Sequence, residues 1–171
     1  MSFYLHSKLI EYNLYEILEY LNMSLEIGKK VPDFSLVADN GKPYKLSSQI
    51  KRQTLLVFYP GDGTPVCTNQ LTEYRDHQKD FAESKVEIVG ISTNSVSSHK
   101  SFKKAHDLPF TLLADTDGSV SKEYDCYGWF GTKRAVFLID KDLTLKYKHI
   151  ESVSIFRRTA NELLEAIKAS N

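Results

Sequence analysis

The sequence predicts an α/β fold in which a central mixed β-sheet is flanked by helices on both faces. Short runs rich in Val, Ile, Leu and Phe alternate with helical stretches from residue 31 onward, which is typical of layered α/β folds. Two of the runs, 135–140 and 143–150, are joined by the two-residue turn 141–142, which permits only an antiparallel connection. We therefore expect parallel and antiparallel strands in one sheet.

A regular order of strands and helices follows from the pattern. The first element is a β-hairpin from residue 31 to residue 48, because Asn40-Gly41 supplies the positive φ angles of a tight turn. Strand 54–59 is almost continuously apolar and should lie in the centre of the sheet. The remaining elements are a helix at 65–83, a strand at 85–93, a helix at 95–106, a strand at 110–114, a helix at 119–127, the strand pair described above and a closing helix at 159–169.

The first 22 residues form a separate expected element. Apolar residues recur there near helical spacing, which indicates an amphipathic helix: Leu5, Leu9, Tyr12, Ile17 and Leu21. We therefore divide the chain into an N-terminal helical extension, residues 1–22, and one domain, residues 23–171. The apolar stripe could pack on its own domain, pack on a second subunit or be loosely attached, so a monomer and a homodimer are both open.

Composition and charge argue against several classes of function. The 171 residues suit a single domain, and 22 basic against 22 acidic side chains give no field to attract nucleic acid or an anionic membrane. No apolar run approaches the roughly 20 residues that span a bilayer. Two cysteines are too few for a disulfide scaffold or a structural zinc site, and the start of the chain does not resemble a secretory signal. A cytoplasmic protein is the default expectation.

One stretch, residues 58–70 (FYPGDGTPVCTNQ), carries the candidate chemistry. Thr64 suits the N-cap of a helix, because its hydroxyl can accept hydrogen bonds from the first-turn amides, and Pro65 suits the first helical position. Cys67 then falls at the third helical position, where the positive end of the helix dipole favours a thiolate. A helix end stabilises an anion by only about 0.3–1 kcal/mol, or ~2 kcal/mol when partly buried. This is too little to keep most of the thiol ionised at neutral pH, so a nearby cation must supply the rest.

The spacing Pro60-x-x-x-Thr64-x-x-Cys67 resembles the peroxiredoxins, which are thiol peroxidases built on a thioredoxin-like fold. The resemblance covers about residues 25–169 and includes the opening 31–34 (VPDF) and Arg134 at the start of a late strand. Within the family the chain is most similar to the Q type, also called bacterioferritin comigratory protein.

The resemblance implies a role for each matched residue. Cys67 would be the peroxidatic thiolate, which attacks a hydroperoxide and becomes a sulfenic acid. Thr64 would hold the peroxide, Arg134 would stabilise the thiolate and the leaving oxygen, and Pro60 would shield the sulfur from water. The implied enzyme reduces hydrogen peroxide and small organic hydroperoxides without a cofactor or a metal. Its reductant would be an external thiol such as thioredoxin or a glutaredoxin-like protein.

At three positions the residue differs from what the family pattern leads one to expect. Gln70 stands where relatives often carry an acidic residue that orients the arginine; it can accept a hydrogen bond but carries no charge. Thr72 stands where many Q-type members carry a resolving cysteine, so that route is closed. Cys126, expected late in the helix at 119–127, is either a half-buried packing residue, which we favour, or a resolving cysteine at an unfamiliar position. A one-cysteine cycle is the leading hypothesis.

Other interpretations of the same residues stay open. Cys67 could be an inert buried thiol, Thr64 only a helix cap, and Arg134 a solvated charge. Asp62 could belong to the site or only to a turn. Three aromatic residues could line the pocket or pack in the core: Phe58, Tyr59 and Trp129.

Two other classes of function remain to be separated from a peroxidase. A thioredoxin-type thiol–disulfide exchanger is disfavoured because the chain has no C-x-x-C motif. A non-enzymatic chaperone or binding module would keep the fold and dispense with Cys67. The histidines lack metal-ligand spacing, and we expect them at the surface or in ordinary packing: His6, His77, His99, His106 and His149.

Overall fold

A computed structural model describes residues 25–153 and 155–170. The strands are β1 (Ser35–Ala38), β2 (Pro43–Lys45), β3 (Gln53–Phe58), β4 (Val86–Ser92), β5 (Thr111–Ala114), β6 (Tyr127–Gly128), β7 (Gly131–Thr132), β8 (Ala135–Ile139) and β9 (Leu145–Ile150). The helices are α1 (Leu46–Gln49), α2 (Pro65–Asp76), α3 (Gln78–Glu83), α4 (Val96–Ala105), α5 (Ser119–Glu123) and α6 (Ala160–Ala169). The predicted helical extension, residues 1–22, lies outside the described residues.

Seven strands form the predicted mixed sheet, in the order β2-β1-β5-β4-β3-β8-β9. Strand β4 pairs parallel with both β3 and β5, whereas β1 pairs antiparallel with β5. On the other side, β8 pairs antiparallel with both β3 and β9. Because β8 is antiparallel to β3, the N-terminal end of β8 lies beside the C-terminal end of β3, close to the start of α2.

The sheet separates two apolar cores, because successive residues of a strand point to opposite faces. Leu55 and Val57 of β3 lie in the core that also contains Cys67, together with side chains of α2, α3, α4 and α6. Leu56 lies in the opposite core, which contains Cys126 and side chains of α1 and α5. The two cysteines of the chain therefore pack on opposite faces of the central sheet.

The helix expected at 65–83 is divided into α2 and α3. His77 separates them, with φ −97° and ψ 12°, and its Nδ1 lies 2.8 Å from Asp80 Oδ2 in the first turn of α3.

The helix expected at 119–127 is also shorter than predicted. It ends at Glu123, and Asp125 adopts a left-handed conformation with φ 54°, which an α-helix cannot continue through. Cys126 consequently follows the helix instead of lying in it. The short ribbon formed by β6 and β7 comes next; its strands are too short to show a pattern in the sequence.

The predicted Asn40-Gly41 turn was confirmed, and the closing helix begins with a capping motif. Gly41 has φ 79° in the turn between β1 and β2, and the Ala38 N–H donates to Lys42 O at 2.9 Å. At α6, the Thr159 N–H donates to the Glu162 carboxylate at 2.7 Å while the Thr159 hydroxyl accepts from the Glu162 N–H, which is a capping box. Within the described part of the chain, none of the helices combines the length and apolar character needed to cross a membrane.

Candidate active site

Cys67 lies at the N-terminal end of α2, as its third residue, and its side chain is fully buried. Thr64 occupies the N-cap position and Pro65 the first helical position, as the sequence predicted. The amides of the first helical turn have no acceptor within the helix, so they and the positive end of the helix dipole surround the sulfur. This environment stabilises negative charge at Cys67 Sγ.

Arg134 supplies the cation that the helix end alone does not provide. It precedes β8 by one residue, is 3% exposed, and its Nη1 donates to Cys67 Sγ at 3.2 Å. The β3–β8 pairing aligns Phe58 with Ala135, which explains why two residues so distant in sequence meet. A guanidinium removed from water interacts more strongly with a nearby anion than an exposed one does.

Gln70 holds the same guanidinium from α2. Its Oε1 accepts from Arg134 Nη1 at 2.9 Å, and its Nε2 donates to the Tyr74 hydroxyl at 3.1 Å. That hydroxyl donates to the main-chain oxygen of Arg158 at 2.6 Å. Both polar ends of the Gln70 amide are thus used. Gln70 carries no negative charge, so it orients Arg134 by hydrogen bonds alone.

Thr64 differs from its expected role as a side-chain cap. Its hydroxyl forms no bond with the first-turn amides and instead donates to Gly61 O at a long 3.4 Å. Thr64 is exposed at the entrance to the site, and Pro60 is half-buried at the end of β3. Gly63, which precedes Thr64, has φ 74°, a conformation that glycine adopts without strain. The sharp turn before α2 therefore depends on Gly63.

Asp62 and His99 are the buried residues of this region whose importance the sequence did not reveal. His99 is 0% exposed, which excludes the surface position that was one of its two expected places, and its Nδ1 lies 3.0 Å from Asp62 Oδ2. Burial would raise the pKa of Asp62, but hydrogen bonds from His99, Ser98 and Tyr59 outweigh it, and the pKa is lowered. The only available signal was the place of Asp62 in the loop; no sequence pattern links it to a histidine on α4.

The three aromatic candidates divide between core and surface. Phe58 and Tyr59 are fully buried on opposite faces of the sheet. Trp129, in the turn between β6 and β7, is 96% exposed, so it belongs neither to the core nor to a closed pocket.

Cys126 is fully buried and lies away from the Cys67 site, on the other face of the sheet. Burial raises the pKa of its thiol, and the negative charges of Asp115 and Asp125 raise it further. The structure therefore brings together Cys67, Arg134 and Gln70 from the predicted set but leaves Cys126 apart from them.

Comparison with known proteins places this geometry in a family. Residues 27–148 match the model of the AhpC/TSA family. Peroxiredoxin Bcp of Bacillus subtilis is 38% identical over 128 residues, which are 70% of this chain and 82% of that protein. The chloroplastic peroxiredoxin Q of Arabidopsis thaliana is 36% identical over 145 residues, 78% of this chain and 67% of that protein. The crystal structure of peroxidoxin BcpB from Mycobacterium tuberculosis aligns with a TM-score of 0.77 at 31% identity, covering 85% of this chain and 97% of that one.

The thioredoxin-like fold and the similarity to peroxiredoxins define a thiol-dependent peroxidase. The chain belongs to the AhpC/TSA family, and its similarity to Bcp and Q-type peroxiredoxins confirms the resemblance found in the sequence. Its reaction involves a peroxide and a thiol reductant. The AhpC/TSA match begins at residue 27, so it does not test the division of the chain at residue 22.

Proposed function

We propose that Cys67 is the peroxidatic nucleophile and that the reaction runs as a one-cysteine cycle completed by an external thiol. The contact of Arg134 Nη1 with Cys67 Sγ at 3.2 Å carries this proposal. It joins a fully buried cation to the only cysteine that the described structure places at a helix N-terminus.

In the oxidation step, the Cys67 thiolate attacks the terminal oxygen of a hydroperoxide. An S–O bond forms as the O–O bond breaks; the sulfur loses two electrons, and the leaving oxygen departs as water or an alcohol once it has taken a proton. Arg134 and the first-turn amides stabilise the charge that moves from sulfur to the leaving oxygen. The Thr64 hydroxyl, whose present 3.4 Å contact is weak, turns to hold the peroxide. Pro60 shields the sulfur on its solvent side.

In the reduction step, an external thiol attacks the Cys67 sulfenic acid. A mixed disulfide and water form, and a second thiol then releases Cys67 and leaves as the oxidised reductant. The position of Cys126 supports this route. A disulfide needs Cα atoms within about 7 Å of each other, whereas the two cysteines pack on opposite faces of a sheet whose strands would have to separate first.

The partners proposed for this cycle are small. Hydrogen peroxide and short organic hydroperoxides suit a sulfur that is 0% exposed, and a thioredoxin or glutaredoxin-like protein supplies the reducing thiol. A monomer or a homodimer accommodates the cycle equally, because every group that it uses comes from one chain.

Mass spectrometry after stoichiometric hydrogen peroxide tests the proposal in the wild type, Cys126→Ser and Cys67→Ser. We expect sulfenic or sulfinic acid at Cys67 in the first two proteins and no peroxide consumption in the third. An intrachain disulfide in the wild type that disappears in Cys126→Ser would overturn the one-cysteine cycle. Peroxide turnover by Cys67→Ser would overturn the role of Cys67. An insulin-reduction assay measures thiol–disulfide exchange, and we expect this protein to be inactive in it.

A further inference from the structure

Asp62 lies in the middle of the loop 60–64, which joins β3 to α2, and other parts of the domain hold it in place. Its main-chain N–H donates to Asn94 Oδ1 at 2.9 Å, in the segment between β4 and α4. Its carboxylate accepts from the Ser98 hydroxyl on α4 at 2.7 Å and from the Tyr59 hydroxyl at 2.8 Å. These contacts hold in place the loop that precedes the first turn of α2, which contains Cys67.

His99 completes the cluster and extends it to β5. Its Nε2 lies 3.1 Å from the main-chain oxygen of Leu113, which can only accept, so Nε2 carries a hydrogen. Its Nδ1 lies 3.0 Å from Asp62 Oδ2, within hydrogen-bond distance of the carboxylate. The side chains of the pair are 0% and 6% exposed, respectively, for His99 and Asp62.

A buried pair of hydrogen-bonded polar side chains is a costly arrangement for packing alone. Removing both groups from water is unfavourable, and the loss of either partner leaves the other buried without its hydrogen bond. The two side chains therefore depend on each other, and the loop can move away from α4 only by breaking their contact. The reaction steps above use neither residue, so the pair has no assigned function.

The loop that the pair fastens must move during the cycle. Cys67 is fully buried, so a thiol larger than a peroxide reaches its sulfur only when the start of α2 loosens. Gly61 allows the close approach that the fastened state requires, since a Cβ there would lie 3.1 Å from Asn94 Oδ1. The contacts of Asp62 are thus among those that such an opening has to break.

We propose that the Asp62–His99 pair is a latch for the peroxidatic loop. With the pair formed, Thr64 and the first turn of α2 are positioned around Cys67 for attack on the peroxide; with it broken, Cys67 becomes accessible to the reducing thiol. Asp62 and His99 are positioning residues that act through the loop. The proposal rests on the proposed function of Cys67.

Two rates, measured separately by quenched-flow mass spectrometry, test the latch. The first is oxidation of Cys67 by hydrogen peroxide, and the second is reduction of its sulfenic acid by dithiothreitol. In Asp62→Asn and His99→Gln we expect oxidation to fall about tenfold, because the reacting groups are misplaced, and reduction to rise about threefold, because the loop opens more often. A residue that only stabilises the fold would not move the two rates in opposite directions.

Lys103→Gln is the matched control, because it breaks an ion pair of α4, with Asp39 at 3.0 Å, without touching the loop. Both rates should equal those of the wild type within the error of the measurement. Unchanged rates in Asp62→Asn and His99→Gln, or a parallel fall in both, would refute the latch. Should these variants not fold, Ser98→Ala removes one bond to the same carboxylate and must still shift the rates oppositely by about twofold. Failure of wild-type Cys67 to oxidise would instead refute the proposed function.

Discussion

Gln70 Oε1 accepts a 2.9 Å hydrogen bond from Arg134 Nη1, the same nitrogen that lies 3.2 Å from Cys67 Sγ. The guanidinium is therefore positioned by a neutral amide one helical turn beyond the cysteine. A carboxylate there would offset part of the positive charge at the sulfur, whereas the amide leaves it undiminished. Orientation is achieved by the remaining hydrogen bonds of the amide instead of by charge.

Removing the charge at position 134 should slow oxidation of Cys67. In Arg134→Gln we expect the rate constant with hydrogen peroxide to fall about 10- to 100-fold, because a hydrogen bond to a charged group contributes about 1.5–3 kcal/mol. Stopped-flow kinetics measures this rate. The control is Lys133→Gln, a neighbouring but exposed cation, which should react like the wild type. An equal loss in both variants would mean that general surface charge is responsible.

The two ends of the Gln70 amide should have separable effects. In Gln70→Ala, Arg134 loses the Gln70 acceptor but keeps its charge beside Cys67 Sγ, so we expect oxidation of Cys67 to slow about three- to tenfold, less than in Arg134→Gln. Tyr74→Phe leaves the Gln70–Arg134 bond in place but removes the donor to Arg158 O. It should lower the free energy of unfolding by about 1–3 kcal/mol while the oxidation rate stays within about twofold. Comparable slowing in Tyr74→Phe would show that the whole chain of hydrogen bonds, and not its Arg134 end, controls reactivity.

Stability should fall at alkaline pH. Burial raises the pKa of Tyr59, Tyr74 and Tyr124 above the ordinary value of 10.0, and that of Cys126 above 9.0. Above those values the unfolded chain loses protons that the folded chain keeps, so the unfolded state binds fewer protons and the free energy of unfolding decreases with pH. Their contribution is complete below about pH 9, and each group then removes about 1.4 kcal/mol per pH unit until its folded-state pKa is reached.

Urea unfolding between pH 8 and pH 11 measures this slope. Tyr124→Phe removes one of the buried phenols and should flatten the alkaline decline, at the expense of the bond that its hydroxyl donates to Pro32 O. Tyr127→Phe, at a ring that is 38% exposed, serves as the control and should follow the wild-type slope. A Tyr124→Phe curve parallel to the wild type would contradict the assignment of the decline to buried phenols.

Local patterns predicted most of the fold. The apolar run of β3, the Asn40-Gly41 turn and the antiparallel pairing of β8 with β9 each depend on neighbouring residues, and each was confirmed. The connection before β9 is longer than the predicted turn 141–142, because β8 ends at Ile139 and β9 begins at Leu145. The predictions were wrong at the ends of two helices. The helix that follows Cys67 ends early at His77, and the helix before Cys126 ends early because Asp125 takes a left-handed conformation.

The site was predictable to the extent that it lies along one segment. Cys67 could be placed at a helix start because Thr64 and Pro65 precede it in the sequence. The hydroxyl contact of Thr64 was predicted wrongly: the hydroxyl donates to Gly61 O and accepts no bond from the first-turn amides. The Asp62–His99 pair could not be predicted, because its members are 37 residues apart and meet only when α4 packs beside the loop.

By itself the sequence determined the order of the elements, the helix start at Cys67 and the family to which that spacing belongs, because these depend on residues within a few positions of one another. The tertiary structure alone decided which side chains share a site. Pairing of β3 with β8 placed Arg134 against Cys67, and packing of the segment after α5 on the other face of the sheet placed Cys126 away from both. Strand pairing and the choice of face are collective properties of the folded chain, and no short stretch of sequence contains them.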